Sequence, residues 1–242
     1  MNGIIIQARV GSKRLKGKML MPLSKKPLIL RIIERLKRVK LTNKIIVAIP
    51  DSKENDVLEK ILKKQGVFIF RGSENNLVER YYFAAKKFKI KNVVRFPGDN
   101  CLPEPSEIDK IIKFYNSFSK PFFASNLQNI LNNGYPDGIG AEIFGFNFLG
   151  DLMKRELSKS QKEHIHTNFF DYKKDKPLDP NWCKVRTIKC NKKFRRPDIK
   201  LDVNTLSEYN YIKDIYDNLY YKDPKFNIVK TIKYLDEKKK ID

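Results

Sequence analysis

Short apolar runs alternate with amphipathic segments of helical period through the first half of the chain, and this alternation most restricts the fold. Apolar runs at residues 3–7, 44–50, 67–71 and 92–96 are predicted to be buried strands. Helices are predicted over residues 27–40, 51–66, 77–88 and 106–118, the second of them starting at the capping-type pair Asp51 and Glu54. Four strand–helix units of this spacing predict a doubly wound α/β fold with a mostly parallel, mixed sheet and helices on both faces.

The alternation is less regular after residue 120. Further strands are predicted at residues 122–125, 141–146, 185–190 and 199–203, and further helices at 148–157, 161–172, 206–219 and 228–238. The sequence contains no internal repeat, low-complexity linker or clear domain boundary, so residues 1–242 are interpreted as a single domain. Residues 127–198 are predicted to leave the sheet and to pack against a partner.

The composition excludes several classes of protein. No apolar run approaches the roughly 20 residues that a membrane-spanning helix needs. The three cysteines, Cys101, Cys183 and Cys190, are too few and too scattered for a disulfide framework or a CxxC zinc site. The first residues, MNGIIIQAR, have neither the charged leader nor the cleavage site of a signal peptide. We therefore expect a soluble cytoplasmic protein.

The strong positive charge has two interpretations. Lys and Arg number 50 against 28 Asp and Glu, a net charge of +22, which is typical of nucleic-acid binders. However, 38 of the 50 are Lys, and they are spread along the chain in pairs such as Lys25–Lys26 and Lys86–Lys87. Proteins that read nucleic acid favour Arg for base contacts. We therefore favour solvated surface lysines and expect no nucleic-acid partner, although charge alone does not assign the function.

The segment QARVGSKRLKGK, residues 7–18, follows the first predicted strand and is a candidate ligand-binding loop. It combines glycines, a serine hydroxyl and cations, namely Gly11, Gly17, Ser12, Arg9, Lys13, Arg14, Lys16 and Lys18. Sheets of α/β proteins bind nucleotides at the carboxyl ends of their strands, where backbone N–H groups and cations hold phosphates. The segment is neither a Walker A loop nor a GxGxxG motif, so by composition alone a solvated basic loop fits equally well.

The string ARVGSKRLKGK resembles the A-R-x-G-S-x-R-L-x-G-K signature of the cytidylyltransferases that make CMP-activated sugars. These include the CMP-KDO synthetases, the acylneuraminate cytidylyltransferases and, with the greatest similarity, the SpsF-like spore-coat polysaccharide branch. Further segments resemble the family in the same order along almost the whole chain: KPLILRIIERLKRVKLTNKIIVAIPD, VFIFRGSENNLVERYYFAAKKF, NVVRFPGDNCLPEP, YPDGIGAEIF, EHIHTNFF and KLDVNTLSEY. The resemblance implies a sheet of the nucleotide-diphospho-sugar transferase type and a homodimer formed through an inserted region, here within residues 127–198.

The resemblance also implies a set of residues that bind CTP. Most of the set lies in the 7–18 segment, on positions that hold the CTP phosphates, and an arginine near the nucleotide completes it. The set is Ala8, Arg9, Gly11, Ser12, Arg14, Lys18 and Arg80. Arg9, Lys18 and Asp99 are implied to be the catalytic residues, since cations would neutralise the leaving pyrophosphate and a carboxylate would hold a metal ion.

A Mg²⁺ site is predicted at the same edge of the sheet. Asp99, in the string PGDN, falls on the magnesium-binding aspartate of the family and follows the predicted strand 92–96. A carboxylate there is suited to holding Mg²⁺ against phosphate oxygens, whereas closing a Gly98–Asp99 turn is the structural alternative. Asp202 and Asn204 are predicted to share one face of a strand and to be further ligands. Asn204 stands where many related enzymes have Asp, and its uncharged amide would hold a metal more weakly.

The resemblance implies an acceptor-binding wall from shorter matches. Asp137 and Glu142, in YPDGIGAEIF, and Glu163 and His164, in EHIHTNFF, fall on segments that face the acceptor in the family. For His164 an acceptor contact and a structural role are both open. Cations of the stretch 183–200 are suited to receiving an anionic acceptor but fit surface charge equally well; they are Lys184, Arg186, Arg195, Arg196 and Lys200.

Together these features predict a Mg²⁺-dependent cytidylyltransferase that transfers CMP from CTP to an acidic sugar, a phosphate or a phosphonate. An acceptor oxygen would attack the α-phosphorus in line, and pyrophosphate would leave. No Ser-His-Asp or Cys-His nucleophile is evident in the sequence, and this reaction needs none. Two alternatives stay open: the same chemistry with another nucleotide such as UTP, and non-catalytic binding of nucleic acid.

Overall fold

The computed structural model describes residues 1–42 and 44–240. The strands of this part of the chain are β1 (Asn2–Gln7), β2 (Pro22–Leu23), β3 (Lys26–Pro27), β4 (Lys44–Pro50), β5 (Phe68–Gly72), β6 (Asn92–Pro97), β7 (Phe123–Ser125), β8 (Glu142–Gly145), β9 (Phe170–Asp171), β10 (Lys176–Pro177) and β11 (Val185–Arg186). The helices are α1 (Leu28–Leu36), α2 (Asp56–Lys63), α3 (Leu77–Lys87), α4 (Pro105–Asn116), α5 (Phe146–Met153), α6 (Lys159–Glu163), α7 (Leu206–Leu219) and α8 (Ile228–Lys238).

A seven-stranded sheet in the order β11-β7-β8-β6-β1-β4-β5 forms the centre of the molecule. Strands β6, β1, β4 and β5 are mutually parallel. Strand β8 runs antiparallel between β6 and β7, and β11 pairs in parallel with β7 at the edge. The predicted mixed and mostly parallel sheet is confirmed. Strands β8 and β11 belong to residues 127–198, so this segment returns to the sheet twice.

Both faces of the sheet are covered by helices, as a doubly wound fold requires. Ile4 and Ile6 of β1 are fully buried on one face, in an apolar core with residues of α1, α2, α4, α7 and α8. Ile5 is buried on the other face, against residues of α3 and α5. Successive side chains of a strand point to opposite faces, so a strand buried on both sides appears as the unbroken apolar run III.

Several predicted elements differ from the structure, including the strand predicted at 185–190, of which only β11 forms. The helix predicted over 161–172 is only the short helix α6, followed by a 3-10 turn at Ile165–Asn168 and by β9. The chain bends there because Ile165 and Phe169 are buried in the second core, and because the Asn168 side-chain amide donates to the carbonyls of Gln161 and Ile165.

The strand predicted over 199–203 does not join the sheet. It forms only single bridges, Asp202 with Asn100 and Lys200 with Asp137. Strand β6 already has β1 and β8 as its neighbours and offers no free edge. The segment is therefore placed past the carboxyl end of β6, beside Asn100.

The capping start predicted for the second helix at Asp51 is also wrong. Asp51 accepts a hydrogen bond from Nε of Arg71 at 3.1 Å, and its backbone N–H donates to the Gly72 carbonyl at 2.8 Å. Helix α2 begins only at Asp56, after a 3-10 turn at Lys53–Asn55. None of the helices in the described part of the chain is long and apolar enough to span a bilayer.

Candidate active site

A polar cleft of about 580 Å³ opens at the carboxyl ends of β1 and β6. All of the predicted site residues except Gly11 line it, although they come from segments far apart in the chain; they are Ala8, Arg9, Ser12, Arg14, Lys18, Arg80, Asp99, Asp137, Glu142, Glu163, His164, Asp202 and Asn204. Another cavity, of about 650 Å³, lies at the amino end of β6 and contains none of them. The cleft is therefore the candidate active site.

The loop at residues 8–18 is here named the basic loop. It is held in place by hydrogen bonds within its own backbone and by the side chain of Asn55, just before α2. The Val10 N–H donates to Oδ1 of Asn55 at 3.0 Å, and Gly17 N–H donates back to the Val10 carbonyl at 3.0 Å. Gly17 has φ +71°, a left-handed conformation that suits glycine. Gly11 does not line the cleft. A Cβ on Gly11 would collide with the Glu54 carboxylate. The loop is thus preorganised, and four of its cations line the cleft: Arg9, Lys13, Arg14 and Lys18.

Lys18 ties the basic loop to the carboxylate side of the cleft. Its side chain is largely buried, with 8% of the residue exposed. Its Nζ donates to the Val203 carbonyl at 2.7 Å and lies 3.6 Å from Oδ2 of Asp99. An ammonium group in this position neutralises part of the negative charge at the bottom of the cleft.

Arg9 and Arg80 add positive charge near the mouth and the wall of the cleft. Nη2 of Arg9 lies 3.3 Å from Oε1 of Glu163, an exposed ion pair that links the basic loop to the opposite wall. Arg80 is buried and donates from Nη1 to the Ser73 carbonyl at 3.1 Å. Burial, together with the neighbouring Arg9 cation, lowers the pKa of Arg80 to about 10, so it stays charged at neutral pH.

Asp99 and Asp202 are brought together by backbone pairing beyond the end of β6. Asn100 and Asp202 form an antiparallel bridge, and the Val203 N–H donates to the Asp99 carbonyl at 2.9 Å. Burial and the nearby Asp99 carboxylate raise the pKa of Asp202. Burial raises the pKa of Asp137 to about 7, with smaller contributions from the negative charges of Asp202 and Asp99. Three carboxylates, those of Asp99, Asp137 and Asp202, therefore lie near one another in this part of the cleft, with Lys18 as the cation beside Asp99.

The carboxylates of Asp99 and Asp202 could hold a divalent cation such as Mg²⁺, which needs few protein ligands. No cluster of three or more His, Cys, Asp or Glu side chains among residues 1–42 and 44–240 is arranged to hold a metal. Mg²⁺ prefers hard oxygen ligands and is commonly bound by one or two carboxylates with water and substrate phosphates. Asp99 and Asp202 supply two such carboxylates. Burial and, after it, the neighbouring Asp99 carboxylate raise the pKa of Asp202, and a cation placed between the two carboxylates would offset their repulsion.

A buried ion pair in the wall of the cleft, between Arg95 and Glu142, was not predicted from the sequence. Nη1 of Arg95 lies 2.5 Å from Oε2 of Glu142, and both residues are almost inaccessible. They are direct partners in the β6–β8 register. The Tyr172 hydroxyl donates to the other oxygen of Glu142 at 3.2 Å, and burial lowers the pKa of His166 well below its usual value. The one sequence signal was a charged residue inside the apolar string NVVRF.

The cations of the stretch 183–200 that were suggested for an anionic acceptor do not line the cleft. The Arg196 guanidinium pairs with Asp198 and Asp236 on the surface. The Arg186 guanidinium lies over the Phe118 ring, 4.5 Å from its centroid. Of the two interpretations of this stretch, surface charge is the one that the structure supports.

The Gly98→Ala variant is expected to lose at least about tenfold in turnover and about 1–3 kcal/mol in stability. A Cβ at residue 98 would lie 2.4 Å from the Gln7 carbonyl oxygen, to which the Gly98 N–H donates at 2.9 Å. The end of β6 would have to move away from β1, and Asp99 would move with it. Turnover and urea denaturation measure the two effects.

Gly150→Ala is the matched control for this substitution. Gly150 lies within helix α5, and a Cβ there would lie 3.9 Å from its nearest neighbour, a ring carbon of Tyr82. The stability of the variant should therefore be unchanged or slightly higher. Equal turnover and stability in Gly98→Ala and in the wild-type chain would contradict the close approach of β1 and β6.

Comparison with known proteins gives a consistent result. A family model described as cytidylyltransferase matches residues 3–235. The spore coat polysaccharide biosynthesis protein SpsF of Bacillus subtilis is 30% identical over 217 residues, which cover 88% of this chain and 85% of SpsF.

Solved structures agree with the sequence comparison. A cytidylyltransferase from Leptospira borgpetersenii superposes with a TM-score of 0.86 at 26% identity, covering 99% of this chain and 95% of that one. A CMP-2-keto-3-deoxy-manno-octonic acid synthetase complexed with CTP superposes with a TM-score of 0.66 at 16% identity, over 90% of this chain and 98% of the other, which shows a shared fold.

Proposed function

The chain belongs to the cytidylyltransferase family and is a nucleotidyltransferase, and we propose that it transfers CMP from CTP to an anionic acceptor with release of pyrophosphate. The observation that carries this proposal is one cleft in which the cations of the basic loop meet the carboxylates of Asp99 and Asp202. Such a cleft matches the charge of a triphosphate beside a divalent cation. The proposed cofactor is Mg²⁺.

The donor side of the cleft is assigned to CTP. Arg9, Arg14 and Lys18 would bind the triphosphate and neutralise the charge that develops on the leaving pyrophosphate. Arg80, which is buried and charged, would add a fixed positive charge near the nucleotide. Because phosphoryl and nucleotidyl transfer need mainly positioning and charge stabilisation, preorganised cations supply most of what the protein must contribute.

Asp99 and Asp202 would hold the magnesium ion. The bound ion would supply charge neutralisation at the phosphate oxygens and orient the reacting groups. Lys18 would help to orient the Asp99 carboxylate in the cleft, because its Nζ lies 3.6 Å from Oδ2 of that residue. The proton that leaves the acceptor, where the acceptor carries one, would pass to water or to a carboxylate of the wall.

The acceptor side is assigned to the wall formed by Asp137, Glu142, Glu163 and His164. This wall offers carboxylates and an imidazole, which suit the hydroxyl groups of a sugar, and the nearest cation free to meet an acidic group is on the basic loop. The name of the related SpsF protein places that relative in polysaccharide biosynthesis. We propose an acidic sugar as the acceptor, with a phosphate or phosphonate acceptor as the second choice.

A pyrophosphate-release screen tests this function. Each of the four nucleoside triphosphates is incubated with Mg²⁺ and, in turn, with KDO-type, sialic-type, phosphorylated and phosphonate acceptors. Release that depends on both CTP and an acceptor is expected. Release with UTP alone would assign another base specificity, and no release in any combination would refute the enzymatic proposal. Salt-sensitive binding to nucleic acid without any release would support the nucleic-acid alternative.

A further inference from the structure

The side-chain amide of Asn204 lies between the basic loop and a carboxylate of the proposed metal site. Its Oδ1 accepts a hydrogen bond from Nη2 of Arg14 at 2.6 Å. Its Nδ2 donates to Oδ2 of Asp202 through a short hydrogen bond. A guanidinium only donates and an ionised carboxylate only accepts, so this amide orientation is the one that satisfies both neighbours.

The backbone holds Asn204 at this place from both sides. Its N–H donates to Oε2 of Glu208 at 2.7 Å, within the capping box that Thr205 and Glu208 form at the start of α7. The preceding carbonyl, that of Val203, accepts from Nζ of Lys18 at 2.7 Å. The amide is therefore held by the backbone on both sides, whereas Arg14 is an exposed residue of the basic loop.

Other residue types cannot reproduce both contacts. An aspartate at this position would accept from Arg14 but could not donate to Asp202, and the two carboxylates would repel each other. An alanine would release both partners.

We propose that Asn204 is a positioning residue that orients Arg14 for the triphosphate and ties down one oxygen of Asp202, rather than a ligand of the metal. This proposal rests on the proposed function, because it assumes that Arg14 meets the phosphates of CTP. It places a single amide in contact with both halves of the site. Its effect on nucleotide binding is therefore present without any metal ion.

Calorimetric titration with CTP in the presence of EDTA tests the proposal directly. Asn204→Ala is expected to weaken metal-free binding of CTP about five- to tenfold, the scale of one net hydrogen bond. In an Arg14→Ala background the same substitution should change the affinity less than about twofold, because the two residues act through one contact. A ligand of the metal would leave metal-free binding unchanged.

Binding of Mn²⁺ without nucleotide, followed by electron paramagnetic resonance, is the second readout. Asn204→Ala should bind Mn²⁺ within about twofold of the wild-type chain, since Asp99 and Asp202 remain. A tenfold or greater loss of Mn²⁺ affinity with unchanged metal-free CTP binding would overturn the proposal and make Asn204 a ligand.

Asn218→Ala is the control for the amide-to-alanine change. Asn218 lies on the far part of α7, outside the cleft, and its amide donates to Asp214, so both affinities should match the wild-type values. Absence of CTP binding by the wild-type chain in EDTA would also count against the proposal, because Arg14 would then hold no phosphate by itself. The pyrophosphate screen decides the proposed function independently of that result.

Discussion

Replacement of Asp99 by Asn is expected to reduce turnover at least about 1,000-fold while leaving the fold intact. The substitution removes the negative charge that the proposed magnesium ion needs, but it changes the side-chain volume very little. The backbone contact from the Val203 N–H to the residue 99 carbonyl does not depend on the side chain. Initial rates of pyrophosphate release and a thermal unfolding curve measure the two parts of this expectation.

Asp236→Asn is the matched control for this loss of charge. Asp236 is a surface carboxylate of α8 that pairs with Arg196, away from the cleft. Its replacement should leave turnover within about twofold of the wild-type rate. Retention of a tenth or more of the activity in Asp99→Asn would contradict the assignment of Asp99 to the metal site.

Arg95→Met is expected to destabilise the protein by about 3–5 kcal/mol, the cost of leaving one partner of a buried ion pair without its counter-charge. Glu142 is 1% exposed, and Tyr172 would remain as its one hydrogen-bond donor among the described side chains. The midpoint of urea denaturation should fall in proportion, with an unchanged slope if the native state keeps its compactness.

A double variant separates the charge from the packing. Adding Glu142→Gln to Arg95→Met removes the uncompensated charge but keeps an oxygen that accepts from the Tyr172 hydroxyl. The double variant should recover at least about half of the lost stability. Two results would show that Arg95 and Glu142 are not an isolated buried charge pair. One is a loss of less than about 1 kcal/mol in the stability of Arg95→Met, and the other is a double variant that is no more stable than Arg95→Met.

The first half of the fold was predictable because its signals are local. The apolar runs at 3–7 and 44–50 coincide closely with β1 and β4, since parallel strands buried on both faces need continuous apolar sequence. The basic loop was predictable for a related reason. Its position after the first strand and its family-like string predict a ligand-binding loop there without any knowledge of long-range contacts, and the structure places the loop at the cleft.

The features that were not predictable depend on residues far apart in the chain. The pairing of Arg95 with Glu142 requires the antiparallel register of β6 and β8, which no periodicity in either strand specifies. The contact between Arg14 and Asn204 spans 190 positions. The break after α6 is decided by burial of Ile165 and Phe169 against the second core, which overrides the helical pattern of the segment.

Some of the functional assignments are confirmed, and others stay predictions. Membership of the cytidylyltransferase family, which the motifs implied, is confirmed. The residues predicted to bind CTP, the acceptor and the metal, except Gly11, line one cleft at the end of the sheet, and their individual roles stay predictions. Formation of a homodimer through residues 127–198 and location in the cytoplasm also stay predictions.

Transfer of a radioactive label from CTP tests the central claim most directly. The wild-type chain is incubated with Mg²⁺, the acceptor selected by the screen, and CTP labelled at either the α- or the γ-phosphorus. Attack at the α-phosphorus predicts that the α-label appears in the acceptor conjugate and the γ-label in pyrophosphate. Appearance of the γ-label in the acceptor, or of both labels only in hydrolysis products, would contradict the account.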